Sequence, residues 1–369
     1  MLNDLPPEIL HLIARDLNSQ PLSHLVSSSR RLHTVLQRNL YTNVTLYGSE
    51  SSEQRANIFL YTVTRTPRLA TYVRSLQVNT GIPHNADNKS YTQMIGFDDN
   101  LVRRLVAERT GYSNEERSEW LEDLERDNSG AWLALLIPQL KELRILSLIW
   151  PLGSQHFLKM LQKAAIEEEP VFPHLKEAYA AEDNSETTFP SDWMHSFFKF
   201  PSMRKVGCCM AEEYKNDDDD DEDSEDSEDN EDNEDNEDTE VEPESDESKF
   251  LKRYTLSPRS SNITDIDLKE SNAAKGMREW VQACKALKSF RIVLGSEVVP
   301  WDDFEPRKIY ESLSLQKLTM ESIWVENNDG LDMDTDNEWM GSFVDFTALR
   351  LIGASLPNLV GFDEHYLPV

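Results

Sequence analysis

Cysteine is scarce in this chain. Only Cys208, Cys209 and Cys284 occur among 369 residues, an odd number with no C-x-x-C pair. That excludes a disulfide framework and a structural zinc site of the usual spacing, and it predicts a reducing compartment, cytoplasmic or nuclear. Long apolar runs are missing too. The richest stretch, Ala131 to Ile137, stops at Pro138, well short of the roughly 18 residues a membrane span needs. The N-terminal stretch does not read as a secretory leader, because Glu8, His11, Arg15 and Asp16 interrupt its apolar positions. No membrane partner is therefore expected. The G-x-S-x-G, P-loop, H-E-x-x-H and dinucleotide-binding patterns are absent as well. The eight His residues are scattered, and none pairs with a Cys or carboxylate at ligand spacing. Cys208 and Cys209 would face opposite sides of a strand, which spoils shared ligation. The Asp217 to Asp221 run lacks the Gly and the spaced Glu of a calcium loop. The expectation is a protein that is not an enzyme, with no cofactor and no metal.

Basic charge is in short supply: Lys and Arg number 37 against 68 Asp and Glu, a net charge of −31. The excess is local. Residues Asp217 to Glu247 hold 22 carboxylates and no Lys or Arg, and without them the balance is only −9. Low hydrophobicity with dense like charge predicts a disordered acidic insert at 216–248, the bland reading being a solvated loop expansion. Direct nucleic-acid binding is not expected, since phosphate neutralisation draws on clustered Lys and Arg.

Against these absences, residues 2–46 are dense in signal. Pro6 and Pro7 suit the first turn of a helix with Asp4 as its N-cap. Ile9, Leu10, Ile13 and Leu17 recur at helical spacing. Pro21 opens a second helical pattern through Leu22, Leu25, Leu32, Val35 and Leu36, and Leu40, Val44 and Leu46 form a third, shorter element. Such a module buries too little area to stand alone, so a partner or the following domain must cover its remaining apolar face. The Leu-Pro-x-Glu-Ile-Leu start, Leu22 and Leu25, and Ser29-Arg30-Arg31-Leu32 resemble an F-box, most nearly those of filamentous fungi. Ser28 and Leu32 depart from the family pattern, which more often has an aliphatic residue and Trp. The resemblance implies docking onto the Skp adaptor, and through it a cullin, of a ubiquitin ligase. Leu5, Pro6, Ile9, Leu10 and Leu25 would then line the adaptor contact, leaving the rest of the chain to select a protein substrate. The alternative is an interaction scaffold that acts outside any ligase.

A second pattern fills the rest of the chain. Apolar-x-x-apolar-x-apolar segments start at Val73, Leu143, Leu175, Met203, Ile263, Leu287, Leu315 and Phe346. From Leu148 onward their last positions lie 32, 28, 60, 24, 28 and 31 residues apart, and the interval of 60 becomes 27 without the insert. One strand per unit at a period near 28 resembles a degenerate leucine-rich repeat. The predicted fold is α/β: an F-box over 1–46, then an irregular repeat solenoid with a parallel sheet over 47–215 and 249–369, interrupted at 216–248. The interval from Val78 to Leu148, 70 residues, breaks the period and carries helical patterns at Leu101 to Ala107 and Asn114 to Arg126.

Side chains alternate along a strand. Gln77, Ser147, Tyr179, Gly207, Asp267, Arg291, Thr319 and Arg350, each between the last two apolar positions, are therefore expected on one exposed face. Tyr179, Arg291 and Arg350 are the chosen candidates for substrate contact. Trp150, Trp193, Trp280, Trp301, Trp324 and Trp339 read mainly as repeat packing, with those near strand ends available to a partner.

Overall fold

Short alternating segments of the kind just described pair into one parallel sheet whose spatial order follows chain order. The computed structural model describes residues 2–47, 53–79, 99–109, 111–126, 128–151, 155–181, 188–213, 255–272, 276–294, 305–327 and 338–360. The insert expected at 216–248, and Trp301, lie outside the described residues. The strands are β1 (Asn43–Tyr47), β2 (Ser75–Asn79), β3 (Ile145–Ile149), β4 (Glu177–Ala181), β5 (Phe189–Pro190), β6 (Lys205–Cys209), β7 (Ala211–Glu212), β8 (Asp265–Ser271), β9 (Ser289–Leu294), β10 (Ser322–Asn327) and β11 (Leu351–Gly353). Nine of them form the sheet β1-β2-β3-β4-β6-β8-β9-β10-β11, while β5 and β7 pair separately. At about 4.8 Å per strand the sheet is roughly 38 Å across. Parallel neighbours demand a crossover each time, and most crossovers here contain helical turns.

Six of the eight sequence templates fall in register. Leu76, Leu146, Ala178, Val206, Ile266 and Phe290 lie opposite one another on successive strands. All six are buried in one continuous core beneath the sheet. The last two templates are corrected. Leu315–Met320 is not a strand: Leu318 is 69% exposed, and Gln316 turns inward, donating through Nε2 to the carbonyls of Val281 (3.0 Å) and Cys284 (2.8 Å). These bonds hold the end of the helix Pro306–Ser314 against the end of the helix Arg278–Ala283. The strand starts afterwards, where Met320, Ile323 and Val325 take the template and Ile323 pairs with Phe290. At the far edge Leu349, Ile352 and Ala354 pack against the core, leaving Leu351 52% exposed.

The interval that breaks the period holds α6 (Asp99–Ala107), α7 (Asn114–Glu125) and α8 (Ser129–Leu136), which follow α4 (Glu53–Arg65) and α5 (Pro67–Ala70). Ser113 and Glu116 close a reciprocal cap at the start of α7. In α8 every residue from Gly130 to Leu136 is buried. Its uninterrupted apolar run thus reflects a helix covered on all sides. Among the described residues no helix is long and apolar enough to cross a membrane.

The N-terminal helices have a core of their own. They are α1 (Pro7–Arg15), α2 (Ser19–Ser27) and α3 (Arg30–Thr42). Leu10, Ala14, Leu22, Val26, Leu32 and Leu36 form a small cluster distinct from the core under the sheet. The expected second helix is broken at Ser28 and Ser29, because Ser29 caps α3 by accepting from the amide of Leu32 (3.1 Å). Its side-chain oxygen satisfies an orphan helical amide there. The cap of α1 is Pro6 rather than Asp4, with Leu2–Asp4 forming a separate 3-10 turn. The expected third element is the end of α3 running into β1, so the module leads directly into the first strand of the sheet.

Candidate interaction surfaces

Two surfaces gather the side chains that the sequence singles out. The first is the outer face of α1. Leu10 is 0% exposed and belongs to the three-helix core, so its expected role in an adaptor contact is corrected. Adjacent helical positions are separated by about 100°, and the face that carries Leu10 and Ala14 inward therefore turns Ile9 outward. Ile9 is 41% exposed and Leu12, which sequence reasoning overlooked, is 57% exposed. Pro6 is exposed, while Leu5 and Leu25 are half-buried against the small core. Leu2, Leu5, Ile9 and Leu12 follow one another at intervals of three, four and three residues. That spacing is the one signal that could have found Leu2 and Leu12. Arg31 anchors the entry to α1 by donating to the carbonyl of Leu5 (2.8 Å).

The second surface is the sheet face turned away from the core. Gln77, Ser147, Tyr179, Gly207, Asp267 and Arg291 are consecutive cross-strand partners in a single line. The line continues to Trp324 and Gly353. Thr319 and Arg350 are corrected: both precede their strands, so neither is part of this line. The one-face alternation was right, and the two misplaced residues follow from the displaced templates.

Two aromatics shape this face. A Cβ at Gly207 would lie 2.7 Å from Cδ1 of Tyr179, so the ring covers the glycine, which is buried rather than exposed. A Cβ at Gly353 would meet Cε3 of Trp324 at 2.5 Å. In both pairs the ring occupies the space that a neighbouring side chain would fill, a cross-strand arrangement that stabilises glycine in a sheet. Tyr179 donates to Oε2 of Glu177 (3.1 Å), and Nζ of Lys205 lies 5.5 Å from the ring centroid. Lys205 in turn pairs with Asp267 at 3.3 Å. Burial pushes the Tyr179 phenol above its ordinary range, against the opposing pull of Lys205. Trp324 donates from Nε1 to Oε2 of Glu326 (2.9 Å) and remains exposed beside its cross-strand partner Arg291.

The other tryptophans divide as their burial dictates. Trp150 and Trp280 are core, Trp193 is half-buried against Trp150 (centroids 5.3 Å apart), and Trp339 is exposed. Among the described residues no group of three or more His, Cys, Asp and Glu is placed to hold a metal ion. Burial raises the thiols of Cys208 and Cys284, the latter to about 12, so neither supplies a ready thiolate. What both surfaces can do is bind: an apolar helix face suits a packed partner, and the mixed line of Tyr, Asp, Arg and Trp suits a shape-specific one. No protein-family model matches this chain, and no curated protein matches it.

Proposed function

We propose that the chain is a non-catalytic substrate receptor of a Skp-cullin-F-box type ubiquitin ligase. In this reading the three N-terminal helices are an F-box that docks on a Skp-type adaptor. The stacked strands and helices are leucine-rich-repeat-like units whose exposed face holds a protein target. Proximity is the mechanism, since linking target and ligase on one chain raises the effective concentration of each for the other.

The observation that carries the reading is the outward apolar stripe of α1. The module is small, has its own core, and still leaves Ile9 and Leu12 uncovered beside Pro6. Exposed aliphatics on one helical face of a six-residue core have no role in folding that module, and they suit a groove on a partner.

Co-purification of the full chain with a Skp-type adaptor is the test. Ile9→Ala with Leu12→Ala should weaken that complex at least about tenfold, as truncating two interface anchors does. Wild-type affinity in the double variant would remove the proposed docking face. A chain that captures targets but never the adaptor would instead be a scaffold acting outside a ligase.

A further inference from the structure

Each strand of the sheet after β1 is preceded by one residue whose amide donates to the carbonyl of the residue that precedes the neighbouring strand. Before β2, β3, β4 and β6 these residues are Arg74, Arg144, Lys176 and Arg204. The amide of Arg144 donates to the carbonyl of Arg74, that of Lys176 to Arg144, and that of Arg204 to Lys176, each at 2.8 Å. Four basic residues therefore occupy neighbouring rungs along the rim where the strands begin. They do so in a chain whose carboxylates outnumber its Lys and Arg by 68 to 37.

The neighbours of this row differ from one end to the other. Arg74 is neutralised by Glu142 at 3.1 Å. Beyond β8 the same rim position holds Lys288 and then Glu321, which pair at 2.9 Å, and Arg350 also acts on Glu321. Between these compensated ends, Arg144 and Lys176 are exposed and make no ion pair among the described residues. Arg204 donates to the carbonyls of Met203 (2.6 Å) and Pro201 (3.3 Å), neutral acceptors that leave its charge uncancelled. Carbonyl capping accounts for Arg74 and Arg204 but not for Arg144 or Lys176. Like charges opposite one another on adjacent strands destabilise a sheet. Glu142, the carboxylate at this end of the rim, pairs with Arg74 and His174, so three cations in succession, with no ion pair of their own among the described residues, form a site complementary to negative charge.

We propose that Arg144, Lys176 and Arg204 dock a short, extended Asp- and Glu-rich segment of a partner protein, lying across the strand-start rim. The rungs are about 4.8 Å apart, so the row covers roughly 10 Å between its outer Cα atoms. Side chains on one face of an extended peptide recur about every 6.7 Å. Two or three same-face carboxylates, spanning three to five residues, thus meet all three cations. A nucleic acid fits less well, because its affinity grows with the number of phosphates neutralised. Beyond these three rungs a long polyanion would meet Glu142 on one side and the Lys288-paired Glu321 on the other, whereas a short acidic segment ends within the row. This inference goes beyond the receptor reading: it uses the rim and not the line from Gln77 to Trp324, and it holds whether or not α1 binds an adaptor.

The probe is a fluorescent peptide of about 12 residues alternating Glu and Ser, titrated with the full chain at about 50 mM salt, where surface charges are least screened. A peptide with Gln in place of Glu serves as the control. Binding of the Glu peptide alone, weakened as salt rises and reduced at least tenfold in R144Q/K176Q/R204Q with an unchanged melt, supports the site. Should the triple variant melt lower, R144Q/K176Q replaces it, since both side chains are exposed and neither makes a side-chain hydrogen bond or ion pair among the described residues. Arg74→Gln should matter less than any of the three. The proposal is overturned if the wild type ignores the Glu peptide, if the variants bind it unchanged, or if a single-stranded RNA of equal charge binds more tightly.

Discussion

Leu10 and Leu12 are both leucines of α1, two residues apart, and the structure gives them opposite roles. Leu10 is fully buried in a core of only six buried side chains, whereas Leu12 leaves more than half of its surface in water. Truncating a buried Leu to Ala costs about 2–5 kcal/mol, the lower values applying where the surroundings collapse into the gap. Three short helices can close partly around a missing Leu10, so about 3 kcal/mol is expected for Leu10→Ala, or roughly a hundredfold in local opening. Full burial of a Leu is worth about 1.5–3 kcal/mol, and Leu12 realises less than half of it, so Leu12→Ala should cost under about 1.3 kcal/mol. Hydrogen exchange of the α1–α3 amides in the intact chain reads both numbers, because the module's own core sets its opening free energy. Leu10→Ala should remove about two decades of protection and Leu12→Ala less than about one. In adaptor binding the order should reverse once the folded fraction is accounted for. Equal protection losses in the two variants, or a larger one in Leu12→Ala, would refute the division of α1 into an inner and an outer face.

Three further perturbations test the sheet and its connections. Gly207→Ala places a Cβ 2.7 Å from the Tyr179 ring and 2.8 Å from the backbone oxygen of Asp267. It should cost about 1–3 kcal/mol in a denaturant melt, and Tyr179→Ala should not rescue it because the backbone contact remains; rescue would show that the ring alone sets the limit. Gln316→Leu strands the carbonyl of Cys284 and the amide of Leu287, which Gln316 now pairs, and leaves the carbonyl of Val281 with the Cys284 amide as its one remaining donor. A loss of about 3 kcal/mol or more is expected, and a neutral result in the same melt would discount Gln316 as the staple between its helix and residues 281–287. Alkylation at neutral pH should label half-exposed Cys209 first, with buried Cys208 and Cys284 protected until unfolding; mass spectrometry showing early Cys284 adducts would contradict its burial.

The parallel sheet was legible because three apolar positions with strand alternation reappeared at similar spacing, and sheet burial enforces that pattern. Leu76 through Phe290 follow it rung by rung. The failures at the last two units have a local cause. Leu315, Leu318 and Met320 match the template as well as Met320, Ile323 and Val325 do. The first ends 28 residues after Ile292 and the second 33, so spacing near 28 does not mark the second as the strand. What decides the outcome is a polar residue: Gln316 pairs with three backbone groups of Val281, Cys284 and Leu287, and an apolar template is blind to that demand. The N-terminal break at Ser28 and Ser29 escaped notice for a related reason. Leu22 through Leu36 keep helical spacing across it, and only the capping chemistry of Ser29 marks the stop.

The binding surfaces were legible to different depths. Along the sheet, alternation alone placed Tyr179 and Arg291 on the exposed line, because period two leaves no freedom once the buried positions are known. On α1 the apolar residues are too many for one face. Ile9, Leu10 and Leu12 cannot all point the same way, and periodicity shows that two faces exist without saying which is inside. The partners across the core settle it: Leu22, Val26, Leu32 and Leu36 meet Leu10 and Ala14. The rim row was hidden differently. Arg144, Lys176 and Arg204 each follow the first apolar residue of a template, so their recurrence is visible in the sequence as a repeated Leu-Arg, Leu-Lys and Met-Arg. One such pair reads as ordinary surface charge. Only in-register stacking turns three separated residues into adjacent like charges, and that adjacency is a property of the sheet rather than of any segment in it.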